Sequence, residues 1–136
     1  MTSQIRTTKC GLKEARERLR TAHAYLLAAQ LALTDDREEF AGVAVGNAVL
    51  AGIAAADSMC CKGLGKCSRS QDHRQAAELV ESSSANGPSY RATLLRLLDL
   101  KDAAHYGFGA MSATDAKKAV NLAKKLVTGA DTFVQT

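Results

Sequence analysis

The sequence predicts an all-α fold, an up-and-down bundle of about five helices. Three observations carry this. Alanine and leucine supply much of the hydrophobic content while β-branched residues are sparse and aromatics make up only 4%. There is one proline, Pro88. Apolar residues recur at intervals of three and four along several stretches, the period of an amphipathic helix. A chain of 136 residues is long enough to bury a core without staples. We read it as one domain over residues 1–136, with a short flexible start over about residues 1–9, and expect no strands.

The first helix is predicted over about residues 10–33, where Leu12, Ala15, Leu19, Ala22, Leu26, Ala29 and Leu33 form one stripe. "TDDREE" then interrupts the chain, with Thr34 or Asp35 suited to cap the next helix. From Phe40 to Ala56 the only polar side chain is Asn47. This run is at the short end of the ~17–25 residues that span a membrane and lacks leucine density, so it is expected to be the enclosed central helix of a soluble bundle. Gly42, Gly46 and Gly52 would let neighbouring backbones come close. "GLGKCSRS" breaks the chain, and a shorter helix follows over about Ser70–Glu81, with Ala76, Ala77, Leu79 and Val80 inward. "SSSANGPSY" reads as a loop. A fourth helix carries "LLRLLDLKDAAH" and stops near His105, before Gly107 and Gly109. A fifth runs over about Thr114–Phe133, with Ala116, Ala119, Val120, Ala123, Leu126, Val127 and Ala130 inward and Lys117, Lys118, Lys124 and Lys125 outward.

The net charge of +4 permits an anionic partner without demanding one. No apolar run follows the first charges, so no secretory signal is visible, and a cytoplasmic protein with reduced thiols is expected. Cys60, Cys61, Cys67 and His73 fall within fourteen residues. Adjacent cysteines on a helix point ~100° apart and no CxxC pair is present, so plain thiols are expected, with no metal and no cofactor. Lys62, Lys66, Arg69 and Arg74 make a basic turn that could hold a phosphate backbone or simply face solvent. His23 has no obvious partner in sequence. Phosphate loops, GxSxG and HExxH are missing.

The fourth helix carries the chemistry. Leu94, Leu97 and Leu98 form a seam that Lys101 and His105 continue, so an apolar stripe ends in two nitrogen bases. A buried lone ammonium is costly, and Lys101 must therefore meet water, an acid or a phosphate. Asn47 and Asp57 are the polar exceptions on the central helix. Asn47 can bond a neighbouring carbonyl and Asp57 can lie near the helix exit in reach of water, or either can support the Lys101/His105 site.

The order of long helix, apolar central helix, short helix and basic-plus-histidine helix resembles the HEPN domain (higher eukaryotes and prokaryotes nucleotide-binding) over roughly residues 10–130. "NAVLAGIAAADSMCC" resembles that family's second helix, and "LKDAAHYG" resembles its signature, in which an arginine precedes histidine by four to six intervening positions. At that spacing this chain has Leu98, Asp99 and Leu100, and the nearest cation is Lys101, with three residues between. The resemblance implies either metal-independent RNA cleavage of toxin or defence type, or a non-catalytic module that binds a nucleotide, a nucleic acid or a protein. It carries over His105, with Lys101 as electrostatic partner and Asp102 and Tyr106 as polar neighbours; Tyr106, Asn47, Asp57, Lys62, Lys66 and Arg69 are the candidate substrate contacts. It further implies a homodimer with a shared cleft, RNA or a nucleotide as ligand, and a small nucleotidyltransferase as a possible partner protein.

Overall fold

The apolar run after Phe40 becomes the longest helix of the protein and its centre. A computed structural model describes residues 5–106 and 111–136, apart from the side chains of Ala104, His105 and Tyr106. Among the described residues the order is β1 (Thr7–Lys9), α1 (Leu12–Ala32), α2 (Glu39–Leu64), β2 (Lys66–Ser68), α3 (Arg74–Val80), α4 (Gly87–Tyr106) and α5 (Ala113–Gln135). The all-α bundle of about five helices is therefore observed, with α2 packed against α1, α3, α4 and α5. By length and composition α2 could cross a membrane. Here it is enclosed instead, with Ala44, Val45, Ala48, Val49 and the whole run from Ala51 to Cys61 buried.

Small side chains make that enclosure possible. Ala15, Ala22 and Ala29 of α1 and Ala116, Ala119, Ala123 and Ala130 of α5 are fully buried and set close helix approaches. Leu94, Leu97, Leu126 and Met59 fill the remaining volume. The predicted inward face of α5 is buried throughout and its four lysines are exposed. On α1 the stripe holds from Ala15 to Ala29, whereas Leu12 is 40% exposed because the helix has only just begun there.

Several boundaries differ from expectation. Thr34 and Asp35 do not cap α2: the Thr34 hydroxyl donates to the Leu31 carbonyl at 2.7 Å, and Asp35 accepts from the Arg37 amide and guanidinium. The stretch expected as a loop through Tyr90 is already helical from Gly87, since Pro88 in a first turn gives up an amide that has no helical partner anyway. α3 begins at Arg74, later than Ser70, and α2 continues to Leu64 before Gly65 turns the chain at φ 71°.

Two expectations are overturned at the N-terminus. Residues 7–9, expected to be flexible, form a strand, and strands are present after all: β1 pairs antiparallel with β2, with Thr8 opposite Cys67. Cys61, expected as a plain thiol, forms a disulfide with Cys10, and the Cα atoms are 5.1 Å apart. The partner was invisible in the sequence because it lies 51 positions away. Together the ribbon and the bond tie the start of the chain to the last turn of α2.

The glycines of α2 also divide differently from expectation. Gly52 does meet a neighbour, for a Cβ there would lie 2.7 Å from Leu97 Cδ2, but Gly42 and Gly46 face open space. Gly63 abuts the Ser83 carbonyl more closely than any Cβ could tolerate. Urea unfolding should therefore show opposite signs: Gly63→Ala lowers stability by about 1–3 kcal/mol through forced backbone movement, while Gly46→Ala raises it by roughly 0.5–1 kcal/mol.

Candidate functional site

Between β2 and α3 the sequence alternates short polar side chains, Ser68, Ser70 and Asp72, and each holds the amide two residues ahead. Ser68 Oγ accepts from the Ser70 amide at 3.2 Å, Ser70 Oγ from the Asp72 amide at 3.0 Å, and Asp72 Oδ1 from the Arg74 amide at 3.1 Å. Such local bonds satisfy a backbone that has no ladder or helix of its own. They deliver His73 to the start of α3. Arg74 then clamps this corner to α4, donating to Asp99 at 2.8 Å and Asp102 at 2.7 Å.

The clamp creates an open cleft of about 190 Å³ whose lining includes His73, Asp72, Arg74, Leu98, Lys101 and Asp102. The end of the leucine seam is thus met from across the fold by an imidazole. His73 is half-buried, and its pKa is held below the ordinary histidine value of 6.5, first by burial and next by the positive charge of Lys101, with Asp72 opposing. At neutral pH it is an unprotonated imidazole beside an ammonium. That arrangement can take up a proton and stabilise a developing negative charge at one point. A larger cleft, about 480 Å³ between the α1–α2 link and the start of α5, has no histidine, cysteine or tyrosine in its lining among the described residues.

No family model, curated protein or solved structure matches this chain. The case for a site therefore rests on its own residues.

Of the residues singled out from sequence, Lys101 and Asp102 lie in the cleft. Asp102 is engaged by Arg74 and its part is to hold the corner together. The side chains of His105 and Tyr106 lie outside the described residues, although the backbone of both belongs to α4. Asn47 donates to the Val43 carbonyl at 3.0 Å, one turn back on its own helix, and does not line the cleft. Lys62, Lys66 and Arg69 do not line it either; Lys66 and Arg69 are exposed along the ribbon, as a solvated face would be. His23 has a partner after all, Asp131 on α5, at 3.1 Å on the surface.

His73 is the residue that sequence reasoning missed, having weighed it only as a zinc ligand. The usable signal was the Ser-x-Ser-x-Asp alternation just before it. The fold alone could reveal that it shares a cleft with Lys101.

Asp57 does not sit in water at a helix exit. It is 8% exposed and pairs with Arg18 of α1, Oδ2 accepting at 3.1 Å, while Oδ1 is buried without a partner. Burial pushes its pKa up from 3.8 to about 6, and the Arg18 charge offsets only part of that. The Cys60 thiol, pushed up to about 12 mainly by burial, is inert.

The folded protein therefore binds the Asp57 proton more tightly than the unfolded chain does. Its contribution to stability falls as pH rises from about 4 to about 6. Asp57→Asn should remove that falling limb and raise unfolding stability at pH 7.5 by about 2 kcal/mol, measured by urea denaturation across pH. Arg18, 38% exposed at its side chain, remains solvated in the variant.

Proposed function

We propose that the protein is a HEPN-like, metal-independent ribonuclease of toxin or defence type, working in the cytoplasm, with the His73–Lys101 cleft as its reaction centre. The observation that carries this is the meeting of an unprotonated imidazole and an ammonium in an open cleft at the end of α4. In the proposed reaction His73 takes the proton from a ribose 2′-hydroxyl, whose oxygen attacks the adjacent phosphorus. Lys101 stabilises the phosphorane charge, and the 5′-oxygen leaves with a proton to give a 2′,3′-cyclic phosphate and a 5′-hydroxyl. His105, one turn beyond Lys101, is the candidate for the second proton transfer. Lysine supplies charge but lacks arginine's two-point fork, so a slow enzyme is expected.

A second reading has its own support. Arg74 is already paired with two carboxylates, and Asp72 and Asp102 add negative charge to the lining. A non-catalytic module that binds a nucleotide, RNA or a partner protein, such as a small nucleotidyltransferase, would tolerate this better than a nuclease. The homodimer belongs to either reading. Leu27 and Leu31 of α1 and Val43 and Leu50 of α2 are exposed apolar side chains available to a second copy.

With chelator present, purified protein should cut single-stranded or structured RNA to cyclic-phosphate ends. His73→Ala should reduce the rate by about 10²–10⁴-fold, the usual range for a lost acid or base, and Lys101→Ala by a smaller factor. His105→Ala should abolish cleavage if that residue protonates the leaving group. Because the base works unprotonated and its pKa in the free protein is lowered, kcat/KM should rise with pH with its midpoint below 6.5. RNA that binds but stays intact under these conditions would favour the binding module.

Light scattering at micromolar concentration should report about twice the 14.4 kDa chain mass. A monomer would remove the dimer from this account.

A further inference from the structure

Apart from the cleft, the fold gathers three sulfurs from three separate elements. Cys10 precedes α1, Cys61 closes α2 and Cys67 lies in β2, and their Sγ atoms are all within 4.8 Å of one another. The disulfide does not by itself impose this convergence. The Cys10 amide donates to the Gly65 carbonyl at 3.0 Å, Gly65 turns the chain in the left-handed conformation, and the β1–β2 register sets Cys67 opposite Thr8. With the Cys10–Cys61 bond opened, as a reducing compartment would leave it, these backbone contacts would still hold the three thiols near one another.

We propose that the reduced protein binds one zinc ion through Cys10, Cys61 and Cys67, with Asp57 as the fourth donor. Zinc–sulfur bonds of ~2.3 Å set thiolates ~3.8 Å apart in a tetrahedron, so Cys67 has to close in by at most roughly 1 Å and the two disulfide sulfurs, once reduced, have to move apart to that spacing. Asp57 lies one turn before Cys61 on the same face of α2, outside the set of atoms within 4.8 Å of one another, so its carboxylate has to move toward the sulfurs as the metal binds. Its Oδ1 is buried with no hydrogen-bond partner while Arg18 holds Oδ2, the state of a carboxylate oriented by an outer partner and lacking a ligand. Three soft donors and one hard oxygen suit zinc better than copper(I), which is satisfied by sulfur alone. Binding displaces three thiol protons into solvent. The disulfide removes two of the three sulfurs, so the site exists only in the reduced chain. The usual sequence signals fail here because no two of these ligands form a CxxC pair and one of them is 51 residues from the next.

The test uses the full chain, reduced without oxygen by a water-soluble phosphine, which takes the disulfide to two thiols as it gains oxygen from water. After the phosphine and metals are removed, the chain is titrated with cobalt(II). One cobalt per chain is expected, with a near-ultraviolet sulfur-to-cobalt charge-transfer band and the intense visible bands of a tetrahedral centre, both lost on adding one equivalent of zinc. Cys67→Ser, shown to be folded by circular dichroism, should lose the charge-transfer band, Cys60→Ser should keep it, and the oxidised wild type should show none. Absence of the band in the reduced wild type, or its persistence unchanged in Cys67→Ser, would overturn the site. An unchanged visible spectrum in Asp57→Asn would overturn the carboxylate's part.

Discussion

The enclosure of α2 is the constraint on which the rest of the structure depends. A helix apolar nearly all round has little to give to water, so most of it must be covered. Four helices cover the run from Ala51 to Cys61 and leave Val43 and Leu50 exposed nearer the helix start, and they come close enough because α2 presents mostly alanine and small residues from Ala44 to Ala56. The same tightness leaves no room for a polar group that is not provided for. Ser58 finds the Ala15 carbonyl at 2.6 Å, whereas Asp57 finds only Arg18 and is left half-satisfied. A carboxylate kept in the core with one oxygen idle opposes stability, and such positions are characteristically tied to function.

Around this core the functional corner is assembled from short-range devices. The serine and aspartate side chains before α3 fix a loop that is too short to fix itself. Arg74 then docks it on α4 through two carboxylates three positions apart, Asp99 and Asp102, which share a helix face. These acids are exposed, so the clamp contributes mainly geometry and little stability. Its consequence is the placing of His73 and Lys101 in one cleft.

Periodicity made the bundle legible, because the α1 and α5 stripes state which side faces inward and the apolar run of α2 states that it lies at the centre, without reference to any other part of the chain. Lys101 was legible for the same reason, as a cation on a leucine seam. What met it was not legible. His73 reaches Lys101 through a turn, a clamp and a helix crossing, and Cys10 reaches Cys61 through a strand pairing of three residues. Contacts of this kind depend on where elements lie in space, and no local pattern encodes that. The cysteine spacing argued against a metal because it was read along one segment, whereas the sulfurs converge from three. Pro88 misled in the opposite direction: a helix breaker in the interior is a good first-turn residue, and its position relative to the helix start decides which.

The pairing of His73 with Lys101 bears directly on the proposed chemistry, because one charge acts on both halves of it. In the free protein burial, and after it the ammonium, disfavour imidazolium and keep His73 ready to accept a proton at neutral pH. In the proposed reaction a phosphate entering the cleft would offset the ammonium, so the imidazolium formed as the 2′-oxygen attacks would be less opposed. After the phosphorane collapses and the anion leaves, Lys101 again disfavours the protonated histidine and returns it to the basic form. Without Lys101, burial would still hold the histidine pKa down, but the part of the shift that a bound phosphate can cancel would be missing. Beside Lys101 its affinity for the proton rises when substrate is bound and falls when the cleft empties, which is the cycle a general base requires.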